Sequence, residues 1–86
     1  MKVTIPSPLY VYTGGARELE ADGATLEELV NHLDARYPGL RFRIVDEQGA
    51  IRPHIRFFVN AEGAPSLSRP LAPRDEVLIV AALSGG

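Results

Sequence analysis

Apolar and polar residues change rhythm several times along this chain, and each rhythm predicts an element. Lys2 to Ile5 alternates, with Val3 and Ile5 on one side, which reads as a strand. Leu9 to Tyr12 continues in extended fashion after the break imposed by Pro6 and Pro8. Thr13-Gly14-Gly15 is a turn, because adjacent glycines accept the positive φ that tight hairpins need. Ala16 to Ala21 is then a second strand, closed by Asp22-Gly23, and the two stretches make a β-hairpin.

The period next shifts to that of a helix. Leu26, Leu29, Val30, Leu33 and Tyr37 fall within a stripe about 100° wide, the width of one buried helical face. Thr25-Leu26-Glu27-Glu28 opens it as a capping box: the Thr25 hydroxyl accepts from the Glu28 N–H, and Glu28 reaches back. Pro38-Gly39 stops the helix after about three turns.

Leu40 to Ile51 admits two readings, a short helical turn or an irregular strand, before the turn Asp46-Glu47-Gln48-Gly49. Ile55 to Val59 is strand-like, and Asn60-Ala61-Glu62-Gly63 turns the chain. Pro65, Pro70 and Pro73 confine the next stretch to a short edge strand or loop around Leu67 and Leu71. Glu76 to Ala82 is apolar on both alternating sets, which predicts a strand that is central or covered on both faces.

The helix stripe needs an apolar face to pack on, and the sheet supplies it. The first and last strands are the most apolar and are expected to pair in parallel at the centre. The fold class is therefore α+β: a ubiquitin-like β-grasp, a mixed sheet of four to five strands with one main helix across it. Residues 1–82 form that domain, and 83–86 form a flexible C-terminal Gly-Gly tail.

Composition narrows function mostly by exclusion. The chain has 86 residues, enough for one small core. Acidic residues number 11 against 9 Lys and Arg, for a net charge of -2, without the basic excess of a nucleic-acid binder. The absence of cysteine excludes a thiolate nucleophile, a disulfide framework, an iron–sulfur cluster and cysteine-ligated zinc. The longest apolar run, Val77 to Leu83, falls well short of the roughly 20 residues of a membrane helix. These features predict a soluble cytoplasmic protein that is a monomer when free, with no membrane or nucleic-acid partner.

Catalytic constellations are missing as well. His32 and His54 are isolated and read as surface residues, and no metal site is expected. The serines have no nucleophile-elbow glycines, and Thr13-Gly14-Gly15 lacks the lysine of a phosphate-binding loop. Glu27-Glu28 and Asp46-Glu47 are explained by capping and solvation, and Arg52 and Arg56 by a solvated face. One feature is left. Gly85-Gly86 follows the apolar last strand as a slim arm without side chains, suited to a narrow tunnel.

With that arm the sequence resembles the bacterial ubiquitin-like sulfur carriers, which include the small subunit of molybdopterin synthase and the thiazole-synthesis carrier. The resemblance covers essentially the whole chain. It rests on Thr13-Gly14-Gly15, Ala24-Thr25-Leu26, Tyr37-Pro38-Gly39, Phe58-Val59-Asn60, Asp75-Glu76-Val77 and Gly85-Gly86. Val3 to Gly15 and Phe58-Val59-Asn60 look most like the carrier of thiocarboxylate-dependent cysteine synthesis. Two positions depart from the family pattern. Arg74 stands where glycine is frequent before the Asp-Glu turn, and Ala61 replaces a common glycine in the Asn-Gly-Glu turn, which bears on the hairpin type.

The resemblance implies a carrier that is not itself an enzyme. An E1-like adenylyltransferase and sulfurtransferase would activate the Gly86 carboxylate with ATP, and sulfur would replace AMP to leave a thiocarboxylate. Leu83, Ser84 and Gly85 would be the arm that enters the partner. No cofactor would be bound by the carrier, since ATP belongs to the activating enzyme. A second partner, a biosynthetic enzyme, would accept the sulfur for cysteine, molybdopterin, thiazole or tRNA thiolation. Docking is expected on the sheet face away from the helix, at Phe58, Leu78 and Val80, unless the loop around Phe42 covers that face. The alternatives are a protein modifier joined through Gly86 to lysines and a non-covalent β-grasp interaction module.

Overall fold

In the computed structural model, which describes residues 1–82, the alternating segments assemble into one five-stranded mixed sheet. Strand β1 (Lys2–Thr4) pairs antiparallel with β2 (Glu18–Glu20), Val3 opposite Leu19. On its other side β1 runs parallel to β5 (Val77–Ala81), Val3 opposite Val77. Strand β3 (Ile55–Val59) lies antiparallel to β5, and β4 (Glu62–Ala64) closes the edge, for the order β2-β1-β5-β3-β4. The parallel central pair expected from the apolar first and last strands is present. This is the β-grasp arrangement.

Helix α1 (Leu26–Arg36) crosses the sheet with Leu26, Leu29, Val30 and Leu33 all fully buried. They meet Val3, Ile5, Phe57, Val59, Val77 and Ile79 in a single core. Thr25 caps the helix as expected, its hydroxyl accepting from the Glu28 N–H at 3.3 Å. Glu28 reaches back one residue further than in the standard box, accepting from the Ala24 N–H at 3.2 Å. Gly23 is required just before this cap. A Cβ there would sit 2.5 Å from the Leu29 nitrogen, inside contact distance of backbone that cannot yield.

The ambiguous segment resolves into helix α2 (Leu40–Ile44), and Val45 then bridges Ile51 across the Asp46 turn. Asp46 holds that turn, accepting from the N–H groups of Gln48 and Ala50, both at 2.9 Å. These donors keep its carboxyl ionised below the usual range.

One segment departs from its expected form. Ser7–Tyr12 is a 3-10 helix rather than extended chain. Pro8 lies in its first turn, where a missing N–H costs nothing and the ring's fixed φ already suits a helix. The same prolines are equally compatible with the broken strand that the sequence suggests. Gly14 and Gly15 do take positive φ, so the turn is real, although it links a 3-10 helix to β2. Pro65 to Pro73 is mostly loop, one of its two expected forms, whereas β4 (Glu62–Ala64) forms earlier, starting at residues expected to be turn.

The β3–β4 connection carries a measurable cost. Asn60 and Ala61 have φ of 51° and 69°, the geometry of a two-residue primed turn between Val59 and Glu62. Ala61 thus keeps the glycine conformation without being glycine. A left-handed L-residue costs roughly 1–2 kcal/mol, part of which glycine returns through the entropy of its unfolded chain. Ala61→Gly is expected to stabilise the fold by about 0.5–1 kcal/mol. Thermal denaturation by circular dichroism checks it; an unchanged or lower midpoint would show that the turn stores no such strain. Arg74, the other departure, is not among the residues with positive φ, so its turn does not need glycine.

Candidate functional site

Strand β5 is the rail on which the chain's last residues are carried, and both of its ends are held. Its ladder with β3 runs from Val77 opposite Val59 to Ala81 opposite Ile55. Beyond it, the Ala82 N–H donates to the His54 carbonyl at 2.7 Å. Leu83, Ser84, Gly85 and Gly86, the expected arm, lie outside the described residues.

At the opposite end Asn60 and the Asp75-Glu76 pair lock the register. The Asn60 amide donates to Asp75 at 2.8 Å, and its carbonyl accepts from the Glu76 N–H at 2.9 Å. The Asn60 N–H donates in turn to the Glu76 carbonyl at 2.9 Å. Asp75 also accepts from the Ala72 N–H at 2.8 Å. That backbone donor first, and the Asn60 amide second, hold the Asp75 carboxyl below the usual carboxylate range.

A depressed carboxyl contributes stability above its unfolded pKa of about 3.9 and loses it as pH falls through the lower folded value. Asp75→Ala is therefore expected to lower stability at neutral pH, with the gap from the native chain closing below about pH 4. Urea titrations across that range follow it. A gap of constant size down to the folded pKa would mean that the carboxylate charge is not its source.

Period-two alternation sorts β3 and β5 into two faces. Ile55, Phe57, Val59, Val77 and Ile79 are buried against α1, each at 2% exposure or less. On the outer face Phe58 lies opposite Leu78, Val80 lies opposite Arg56, and Phe58 has Gly63 on its other side. Phe58 and Val80 are half-buried, and Leu78 is 42% exposed. The fold thus brings the three expected docking residues together on the sheet face away from the helix. Strand β5 is central, but only one of its faces is covered.

Phe42 does not provide the missing cover. It sits on α2, which packs against α1 and the 3-10 helix, and its ring is 58% exposed beneath the Arg52 guanidinium at 4.6 Å.

The histidines separate. His54 is exposed and serves the site through its backbone carbonyl. His32 is half-buried rather than a free surface residue, because its Nδ1 accepts from the Asp22 N–H at 2.9 Å. It ties α1 to the end of β2. No sequence period announces such a bond, and the same holds for Asn60 with Asp75, which are distant in sequence. Among the described residues no three of His, Cys, Asp or Glu gather closely enough to hold a metal ion. No described helix is long and apolar enough to cross a membrane.

The comparisons with known proteins agree with this architecture. Residues 3–86 match the ThiS family. The sulfur carrier protein CysO of Mycobacterium tuberculosis is 33% identical, over 98% of this chain and 96% of that one. The Amycolatopsis orientalis structure of a BexX/CysO complex superposes with a TM-score of 0.90 at 32% identity, covering 99% of this chain and 98% of its counterpart. SAMP1 from Haloferax volcanii follows at a TM-score of 0.80 and 28% identity, over 100% and 98% of the two chains.

Proposed function

The chain belongs to the ThiS family, and we propose that this sulfur carrier of the ThiS and CysO type carries its sulfur on Gly86. The Gly86 carboxylate attacks the α-phosphorus of ATP on a partner enzyme, forming an acyl adenylate and releasing pyrophosphate. A sulfur nucleophile supplied through that partner then attacks the acyl carbon. The carbon–oxygen bond breaks, AMP leaves with the electron pair, and a thiocarboxylate remains. Ionised at neutral pH, it is a soft nucleophile on a chain that has no cysteine.

The observation that carries this reading is the end-to-end match to sulfur carriers by a sequence whose last residues are Gly85-Gly86. In this reading the carrier presents a substrate and leaves the chemistry to its partner. ATP and its metal stay with the activating enzyme, in the cytoplasm. The likeness to CysO favours an activated serine derivative, and hence cysteine synthesis, as the destination of the sulfur.

Mass spectrometry after co-expression with the cognate activating enzyme tests the reading. Replacement of one oxygen by sulfur must be found in the C-terminal peptide. That location matters, because oxidation of the chain's one methionine adds the same nominal mass. Unmodified Gly86 in every fraction would overturn the proposal. The likeness to an archaeal modifier, SAMP1, supports a second reading, conjugation to lysine, and branched peptides ending in Gly85-Gly86 would reveal it.

A further inference from the structure

Four residues separate Ala82 from the Gly86 carboxylate, so the arm reaches at most about 13–14 Å when fully extended. Any enzyme that reacts at Gly86 must therefore bring the mouth of its tunnel against the residues around Ala82. Two grooves meet there, on either side of Ile55. Arg52, Arg56 and Phe58 line one, and Tyr12, Arg43 and Ala82 line the other. Neither groove has a carboxylate among its described lining residues, although acidic residues outnumber basic ones in the whole chain.

Among the described residues the cations elsewhere divide: Arg17, Arg36 and Arg74 form no ion pair, and Arg36 donates to the Glu20 carbonyl. Lys2, Arg41 and Arg69 each pair with a carboxylate. Arg43 instead donates to the Tyr12 hydroxyl at 2.6 Å, Arg52 to the Phe42 carbonyl at 2.7 Å, and Arg56 to the Pro53 carbonyl at 2.6 Å. Among the described residues these partners orient each guanidinium without a carboxylate to neutralise it. Asp46, whose charge Arg52 feels, spends its acceptors on backbone N–H groups and forms no ion pair with it. The start of β5 differs in kind, since Lys2 there bridges Glu18 and Glu76.

We propose that Arg43, Arg52 and Arg56 form a positive collar at the β3–β5 end of the sheet, beside Ile55 and Ala82, and that it docks on a carboxylate-lined rim at the tunnel mouth of the activating enzyme. The inference rests on the sulfur-carrier reading above and adds the chemistry of its partner. Phe58, Leu78 and Val80 supply the apolar centre of the same interface, and the collar supplies its polar rim. Positive charge on the end of the sheet that bears Ala82 steers encounter so that this end meets the partner first.

ATP–pyrophosphate exchange with the purified activating enzyme, measured against carrier concentration at low and high salt, tests this. Arg43→Glu combined with Arg56→Glu changes two exposed side chains and is expected to raise KM at least about tenfold with kcat nearly unchanged. The salt dependence of kcat/KM should flatten in the same variant. Arg74→Glu, half that change of charge placed in the turn before β5, should behave as the native chain. If the double variant fails to fold, Arg56→Gln tests the collar in its place, since that side chain bonds only to backbone carbonyls. A native KM and salt slope in the folded charge variant would overturn the collar alone. A native chain that supports no exchange would instead overturn the adenylation step on which it rests.

Discussion

Deletion of Gly86 is expected to reduce adenylation by the cognate enzyme to near the background of ATP–pyrophosphate exchange, with the melting temperature unchanged. In the proposed adenylation the arm would act by reach. Removing one residue shortens it by roughly 3.3–3.6 Å, whereas a misplacement of about 1 Å can cost a hundredfold in rate. A bulky residue at Gly85 should give the same loss differently, keeping the reach but placing a side chain in a passage shaped for glycine. Neither change removes an apolar side chain, so neither has a packing term to lose. Exchange at the full rate by the Gly86 deletion would show that the terminus is not the reacting group. An added residue beyond Gly86 should abolish exchange as well, and would leave a purely non-covalent binding module unaffected.

Leu29→Ala and Leu33→Ala should act on stability instead, weakening the fold without altering any residue of the arm. Both side chains are fully buried at the centre of the α1 stripe and face the inner side of the sheet. Truncating such a leucine costs about 2–5 kcal/mol, since the transfer energy is lost and the cavity closes only partly. A small domain has a stability of only about 5–15 kcal/mol to draw on, and often less at this size. Chemical denaturation should show a large fall in midpoint at either position. A loss below about 0.5 kcal/mol at both would mean that the stripe does not face the core.

Elements governed by local backbone geometry are legible in the sequence itself. The α1 stripe, its Thr25 cap, strand β3 and the apolar β5 follow from periods of between three and four, or of two, which the backbone imposes on residues near each other in sequence. The resemblance to sulfur carriers was equally readable, because it lies in short strings such as Phe58-Val59-Asn60 and Gly85-Gly86. Pro6-Ser7-Pro8 misled because proline is as compatible with a first helical turn as with a broken strand. Leu40 to Ile44 was undecided because its apolar run is too short for period to separate helix from strand.

What sequence alone determined, then, was an arm of two glycines behind a hydrophobic strand, and a helix with one face to bury. Only the tertiary structure decided which face of β5 stays open, since Val77 and Leu78 are equally apolar and differ only in lying toward or away from α1. It also decided that Asn60 holds Asp75, that His32 meets Asp22, and that Arg43, Arg52 and Arg56 line the grooves on either side of Ile55. Each of these joins residues that chain-local rules treat as independent. Their proximity comes from packing one helix on five strands, and pairwise chemistry across such distances has no period to read.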